Sequence, residues 1–227
     1  MSHADYCKQF IPAGGIVLDV GAGRGKFLCA MAGLGFEARG VETNPAYITE
    51  SEARAESEGI TIQVVQGRGE KLPFPDNQFD FVNCAEVTEH VDDPIAMCRE
   101  ISRVLKPGGR AYISFHNRFG IYDYHYHLWG INWLPRVWTE SVLKFLGKSK
   151  EEGVGTGRQK LNSMHYFTYN QVAKIIAESG FTSVDSREEK IKQRFPGFAI
   201  FFLSIYRYLV RPIVFNSFHL LVTKRIS

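Results

Sequence analysis

The chain has 227 residues, 44% of them hydrophobic and 22% charged, enough apolar material for one full core and a match to a single domain over 1–227. Cys7, Cys29, Cys84 and Cys98 form no CxxC pair, so a zinc ribbon and a disulfide framework find no support and a reducing, cytoplasmic setting is expected. The net charge of +3 hides an asymmetry, because residues 1–106 hold 10 Lys/Arg against 16 Asp/Glu and the remainder 17 against 8. That split suggests a cationic ligand in front and an anionic or membrane-associated one behind, or a solvated surface of uneven charge.

In chain order, the N-terminal MSHADYCKQFIPAGG lacks the pattern of a signal peptide, and no later run reaches the roughly 18 apolar residues that span a bilayer. GIVLDV (15–20), GFEARGVE (35–42), ITIQVVQG (60–67), FDFVNCAE (79–86) and GRAYISFHN (109–117) read as strands, each too short and too branched for a helix. Between them KFLCAMAGLG, PAYITESEARAESEG and DPIAMCREISRVLKPGG read as helices, the last ending at Lys106 before Pro107 and Gly108. Such alternation predicts an α/β fold with a doubly wound, mostly parallel sheet, whose ligands sit beyond the carboxyl ends of the strands. Residues 118–160 break the rhythm and read as an insertion after the fifth strand. A helix opened by Thr168 and closed by Gly180 follows, then a strand at FTSVDSREEKI (181–191) and a final antiparallel strand at FHLLVTKR (218–225).

VLDVGAGRGKF carries the most chemistry. A strand ends at Asp19, and Gly21, Ala22, Gly23 and Gly25 turn the chain into a helix, leaving room for close approach of a ligand. A dinucleotide fingerprint wants its third glycine at 26, where Lys26 stands. A carboxylate at Asp19 would repel a pyrophosphate and suit an amino group or sulfonium, while Glu42 can accept from a ribose diol. A cationic nucleoside without phosphates, S-adenosylmethionine (SAM), fits both acids; the plainer alternatives are a helix cap for Asp19 and a solvated surface acid for Glu42.

With VLDVGAGRG, GVETNP, QGRGEKLPFPDNQFDFV, EVTEHVDDP and RVLKPGGRAYIS in order over about 16–115, the sequence resembles the class I SAM-dependent methyltransferases. The resemblance implies that Asp19 and the glycines hold the methionine portion, Glu42 with Thr43 the ribose, Arg68, Gly69 and Glu70 the adenine, and Cys84, Ala85 and Glu86 the floor. Many relatives read GDAE where this chain reads Gly67, Arg68, Gly69, Glu70, and arginine offers adenine no acceptor.

Methyl transfer from a sulfonium asks mainly for an in-line nucleophile, with a base where that nucleophile is protonated. His90 and His116, at the catalytic edge of the sheet, are candidates for that base. YDYHYHLWG (122–130) adds Asp123 and His125. If extended, Asp123, His125 and His127 share one face and the tyrosines the other. Three readings stay open: a metal site, an Asp/His pair that touches substrate, and a packed aromatic hairpin. No metal is expected, because the donor needs none for activation.

The apolar segment 195–216 places Phe198, Phe202, Ile205 and Leu209 along one helix side, with Arg207 and Arg211 one turn apart. It could lie on a membrane surface, pack on the lid, or join a homodimer. The expected activity is methylation of a small, possibly lipophilic acceptor, most simply at oxygen. An RNA methyltransferase is the rival enzyme, disfavoured by the lack of a dense basic stripe. A SAM-binding regulatory protein without turnover is the rival from another class.

Overall fold

In the computed structural model, which describes residues 2–150 and 159–226, a short helix α1 (His3–Cys7) leads into β1 (Ile16–Val20). Then α2 (Lys26–Gly33), β2 (Glu37–Glu42), α3 (Pro45–Ser57), β3 (Gln63–Gln66), β4 (Phe79–Cys84), α4 (Pro94–Val104) and β5 (Leu105–His116) alternate as the periodicity predicts. The hairpin β6 (Tyr122–Asp123) and β7 (Leu128–Trp129) and helix α5 (Arg136–Phe145) stand apart from the main sheet. After them come α6 (Tyr169–Glu178), β8 (Phe181–Asp185), α7 (Ser186–Arg194), α8 (Ala199–Ile205) and β9 (Ser217–Lys224).

The seven-stranded sheet has the order β3-β2-β1-β4-β5-β9-β8, parallel from β3 to β5, with β9 antiparallel between β5 and β8. The expected α/β architecture with an antiparallel last strand is thus what the chain builds. The strand order reverses between β1 and β4, and that switch point opens the crevice beyond their carboxyl ends.

Helix α4 shows how the sequence secures the frame. Asp93 Oδ1 accepts from the Ile95 and Ala96 amides, and Pro94 occupies the first turn, where its missing N–H costs nothing. Met97, Cys98, Ile101 and Val104 are fully buried against the sheet. Truncating Met97 or Ile101 to alanine costs about 2–5 kcal/mol. The helix stops at Val104, two residues before the expected end. Lys106 precedes a proline and is pushed from helical space, and Leu105 turns extended to bury its side chain in the core. The Asn77 and Gln78 amides satisfy the carbonyls of Arg103 and Val104.

Three further expectations change. Segment 181–191 is not one strand: it breaks after Asp185, which caps α7 by accepting from the Arg187 amide. Glu188 and Glu189 in the first turn and Lys192 and Arg194 in the last suit the helix dipole, and SREEKIKQR has no alternation to hold a strand. In the tail, α8 runs on into a π-helical turn over Tyr206–Val210, so Leu203 and Tyr206 face inward while Phe198 and Leu209 are exposed. Its two arginines, Arg207 and Arg211, both donate to Glu188. None of the described helices is long and apolar enough to cross a membrane.

The insertion forms a lid over the carboxyl edge, with a small core of its own from Tyr126, Ile131, Leu143, Leu161 and Met164. YDYHYHLWG is not an extended strand, because residues 124–127 turn, with His127 at φ 52°. Asp123 and His125 therefore point inward while His127 swings out to Tyr122. The expected metal-like alternation is lost, and the glycine-rich residues 151–158 lie outside the described residues.

Candidate active site

A cavity of about 550 Å³ occupies the switch-point crevice. Gly21 and Gly23 both adopt positive φ, at 72° and 53°. A Cβ on Gly21 would stand 2.6 Å from Val87 Cγ2, whereas one on Gly23 would meet nothing within 4 Å and would project into the space a ligand needs. Glu42, at the tip of β2, spans the turn. Its Oε2 accepts from the Gly23 amide at 2.8 Å, and its Oε1 from the Thr43 and Asn44 amides at 2.8 and 2.9 Å. One carboxylate thus ties two loops into a rim and neutralises amides that would otherwise stand unpaired.

Of the residues expected to hold a nucleoside, Gly21, Gly23, Glu42 and Thr43 line one side of the cavity, and Arg68, Gly69, Glu70 and Glu86 the other. Arg68 turns its guanidinium to Glu70 and Asp92, while Glu70 also accepts from the Asp92 amide at 2.8 Å. The arginine therefore draws two acids together at the mouth and leaves the Gly69 backbone facing inward.

Four expected residues shape the cavity from behind. Ala22 and Gly25 make the turn, Gly25 because a Cβ there would strike Ser51 at 2.7 Å. Cys84 is fully buried with its Sγ 3.9 Å from Met97 Sδ, so it belongs to the core, and Ala85 packs on the apolar cluster beneath α2.

Asp19 also lies behind the wall, 4% exposed and accepting from Asn83 Nδ2 at 2.7 Å. Asn83 Oδ1 in turn lies 2.8 Å from His3 Nε2 on α1. Burial pushes the Asp19 carboxyl up to about 7; the Asn83 hydrogen bond opposes the rise, and the charge of Glu42 adds to it.

Beyond Glu86 the crevice ends in a cluster built from three places: the loop after β4, the end of β5, and the lid. Glu89 is fully buried, its Oε1 3.2 Å from His116 Nδ1, 3.5 Å from His90 Nε2 and 3.8 Å from His125 Nε2. Burial favours the neutral form of Glu89, but contact with His116 and the charges of His116 and His90 hold its carboxyl below the usual range. Burial likewise opposes charge on His116, yet Glu89 raises its pKa. His125 is pushed down to about 4, first by burial and then by the His116 charge, so it is neutral near pH 7. Two sets, Glu89–His90–His125 and Glu86–Glu89–His116, bring their ligand atoms within 4.8 Å of one another and are the residues that could hold a metal.

All four expected catalytic residues meet here, but with unequal freedom. Asp123 is spent on structure: Oδ1 accepts from the Tyr126 amide at 2.9 Å and Oδ2 from the Tyr166 hydroxyl at 2.6 Å. It sets the hairpin so that the His125 ring packs on His116, with centroids 4.9 Å apart. His90 lines the cavity with Nδ1 2.7 Å from Gln159 Oε1. Gln159 and Tyr166 were not singled out from sequence, since nothing local marks either. Glu89 was likewise not singled out, although the Glu86, Glu89, His90 spacing already puts three titratable groups close together in the chain.

The acidic rim of Glu42, Glu70, Glu86 and Asp92, against the one paired Arg68, suits a cationic nucleoside and would repel a pyrophosphate. Gly23 leaves room for close backbone approach. The cradle therefore fits SAM.

Residues 18–113 match the family model described as a methyltransferase domain. A ubiquinone biosynthesis O-methyltransferase of Marinobacter nauticus is 30% identical over 173 residues, covering 72% of this chain and 71% of that one. A Xanthomonas axonopodis enzyme of the same description is 35% identical over 108 residues, covering 47% of this chain and 45% of its own length, so the chain spans about half the length of several curated relatives. Among solved structures, a SAM-dependent methyltransferase from Methanosarcina mazei superimposes with a TM-score of 0.65 over 98% of both chains at 18% identity. That likeness supports the fold alone. The motif order, the sheet topology and these relationships agree: the chain belongs to the class I SAM-dependent methyltransferases.

Proposed function

We propose that the chain transfers a methyl group from SAM to a hydroxyl of a small molecule. The observation that carries the reading is the meeting of two chemistries in one crevice: an acid-rimmed nucleoside cradle, and at its end an imidazole–carboxylate cluster roofed by the lid. Gly21 and Gly23, with the Asp19 carboxyl behind them, would hold the methionine portion, Glu42 and Thr43 the ribose, and residues 68–70 the adenine. When bound, SAM supplies a methyl already activated on a sulfonium, so the chain need provide no nucleophile of its own.

What the residues add is placement and proton handling. A hydroxyl entering between Glu86 and the lid meets His116, which Glu89 orients, and His90, which Gln159 orients. Either imidazole can take the hydroxyl proton. Neutral His125 can accept a hydrogen bond but is too weak a base to keep a proton. Asp123 acts at one remove, by holding the hairpin that carries His125. Exposed Trp129, Trp133 and Trp138 around the lid suit a lipophilic acceptor, and the O-methyltransferase relatives favour oxygen over nitrogen or carbon. The test is His116→Ala with labelled SAM and hydroxylated arenes: kcat should fall by a factor of about 10² or more with S-adenosylhomocysteine (SAH) affinity kept. Unchanged kcat would remove the base from this cluster.

A further inference from the structure

We propose that Arg118 and Arg136, in the lid, form a binding site for a carboxylate on the methyl acceptor, which makes that acceptor a hydroxylated aromatic acid. The identity of the acceptor rests on the hydroxyl reading above. The anion site itself does not.

The first support is a pair of charged heads that the interior leaves unsatisfied. Nη1 of Arg118 and both terminal nitrogens of Arg136 are shut off from solvent and meet no hydrogen-bond acceptor among the described residues. Arg118 spends Nη2 on the Leu134 carbonyl at 2.8 Å, a neutral group that leaves the charge uncompensated. The acids whose charge reaches Arg136 are already engaged. Asp123 accepts from the Tyr126 amide and the Tyr166 hydroxyl, and Glu140 Oε1 from the Asn162 amide at 3.3 Å. Burial opposes the charge on both arginines, and at Arg136 the charge of Arg118 adds to that opposition. A guanidinium keeps its proton even so, and the pair is therefore a buried positive site whose N–H groups call for an anion.

Stacking and trapped water are the plainer explanations, and neither suffices. Arg136 Cζ lies 4.3 Å from the centre of the Tyr166 ring, and Arg118 Cζ 5.4 Å from that of Phe119. Those rings attract the cationic charge, yet a ring face is a weak acceptor beside a carboxylate. A water would satisfy an N–H but would bring no negative charge to two cations. A carboxylate does both, because its two oxygens match the fork of a guanidinium.

Placement ties the site to the reaction. The Tyr166 ring that Arg136 covers also packs on the His116 ring, with centroids 5.1 Å apart, and its hydroxyl holds the Asp123 that sets His125. The cationic pair and the proposed base thus share an aromatic neighbour. An aromatic acid bridges that span, with its hydroxyl at His116 and its carboxylate at the arginines. Both arginines belong to the basic part of the chain, residues 107–227, whereas acids rim the nucleoside cradle. The fold thereby sorts its ligands by charge, the cationic donor to the acidic rim and the anionic acceptor to the lid. Because these N–H groups are closed to solvent, the acceptor reaches them with the lid parted, and its carboxylate then favours the closed lid by neutralising the pair.

The experiment is calorimetry of the full-length protein, saturated with SAH, against the monohydroxybenzoates, their methyl esters and 4-hydroxyphenyl phosphate, with methyl transfer from SAM to each measured alongside. At least one hydroxybenzoate should bind about tenfold or more tighter than its ester. Arg136→Gln should erase that difference and Arg118→Gln should reduce it. Unchanged SAH affinity in each variant shows that it is folded, and Arg118→Gln serves should Arg136→Gln fail to fold. No acid bound more tightly than its ester in wild-type protein, or an acid preference that survives in both variants, overturns the anion site. Tighter binding of the phosphate than of every hydroxybenzoate overturns the assignment to a carboxylate. Arginine-dependent binding of the acids without methyl transfer to any hydroxyl counts against the hydroxyl reading and not against the site, while equal kcat/KM for acids and esters counts against the site and not against the hydroxyl reading.

Discussion

At pH 7, binding of SAH should release about half a proton, and the proton should come from Asp19. Its carboxyl, raised to about 7 chiefly by burial, is half protonated there in the free protein. An ammonium arriving over the glycine turn in front of it favours the charged form, and a fall of about 1 unit in the carboxyl pKa is enough to ionise nearly all of it. The same shift sets a pH-dependent stability. An acid whose folded pKa lies above its unfolded value binds more protons folded than unfolded between the two, so stability falls as pH rises from about 4 to about 7 and the loss is complete above that. A gap of about 3 units corresponds to at most about 4 kcal/mol. Asp19→Asn keeps an oxygen for Asn83 and removes the charge, so the variant should match wild type near pH 4 and exceed it by about 2–4 kcal/mol at pH 8. Urea unfolding at both pH values measures this, and calorimetry of SAH binding in buffers of different ionisation enthalpy counts the protons. Buffer-independent heats for wild type, or a variant destabilised equally at both pH values, would refute the reasoning.

Glu42→Ala should lower SAH affinity about tenfold or more and reduce Tm, because it orphans the Gly23, Thr43 and Asn44 amides; calorimetry and melting curves together check it. Gly21→Ala and Gly23→Ala should separate fold from binding: both meet positive φ at a cost of about 1–2 kcal/mol, but only the first also strikes Val87, and only the second fills the cavity. Loss of SAH binding with little added instability is therefore expected for Gly23→Ala. Arg68→Ala should change stability by less than about 1 kcal/mol, since its ion pairs are largely exposed. Glu188→Ala should cost about 3 kcal/mol by leaving Arg211 buried beside Asp185 without its closer partner.

The frame was legible because its signals are local. Branched apolar runs at β1, β2, β4 and β5 alternate with capped helices, and the glycine turn after Asp19 has few other uses. The strand assigned to 181–191 failed where a side chain competes with the ladder: Asp185 can cap a helix, and the charges after it then favour one. The lid was located but its geometry was not. A turn at 124–127 sends His127 away from Asp123 and His125, a reversal that a reading by alternation cannot register. Glu89 gains its importance only because β5 and the lid bring His116 and His125 to it across long stretches of chain. Such convergence is set by topology and by the Asp123–Tyr166 tether, neither of which leaves a trace in local spacing.

The central claim is methyl transfer to a small-molecule hydroxyl, and the most direct measurement is the fate of the labelled methyl when purified protein and [methyl-³H]SAM meet a panel of hydroxylated arenes, amines and transcribed RNA. Label recovered as an aryl methyl ether, with one SAH formed per ether and strong loss in His116→Ala, is the predicted result. Label on RNA or amine alone, or SAM bound tightly with no SAH formed from any acceptor, would contradict it.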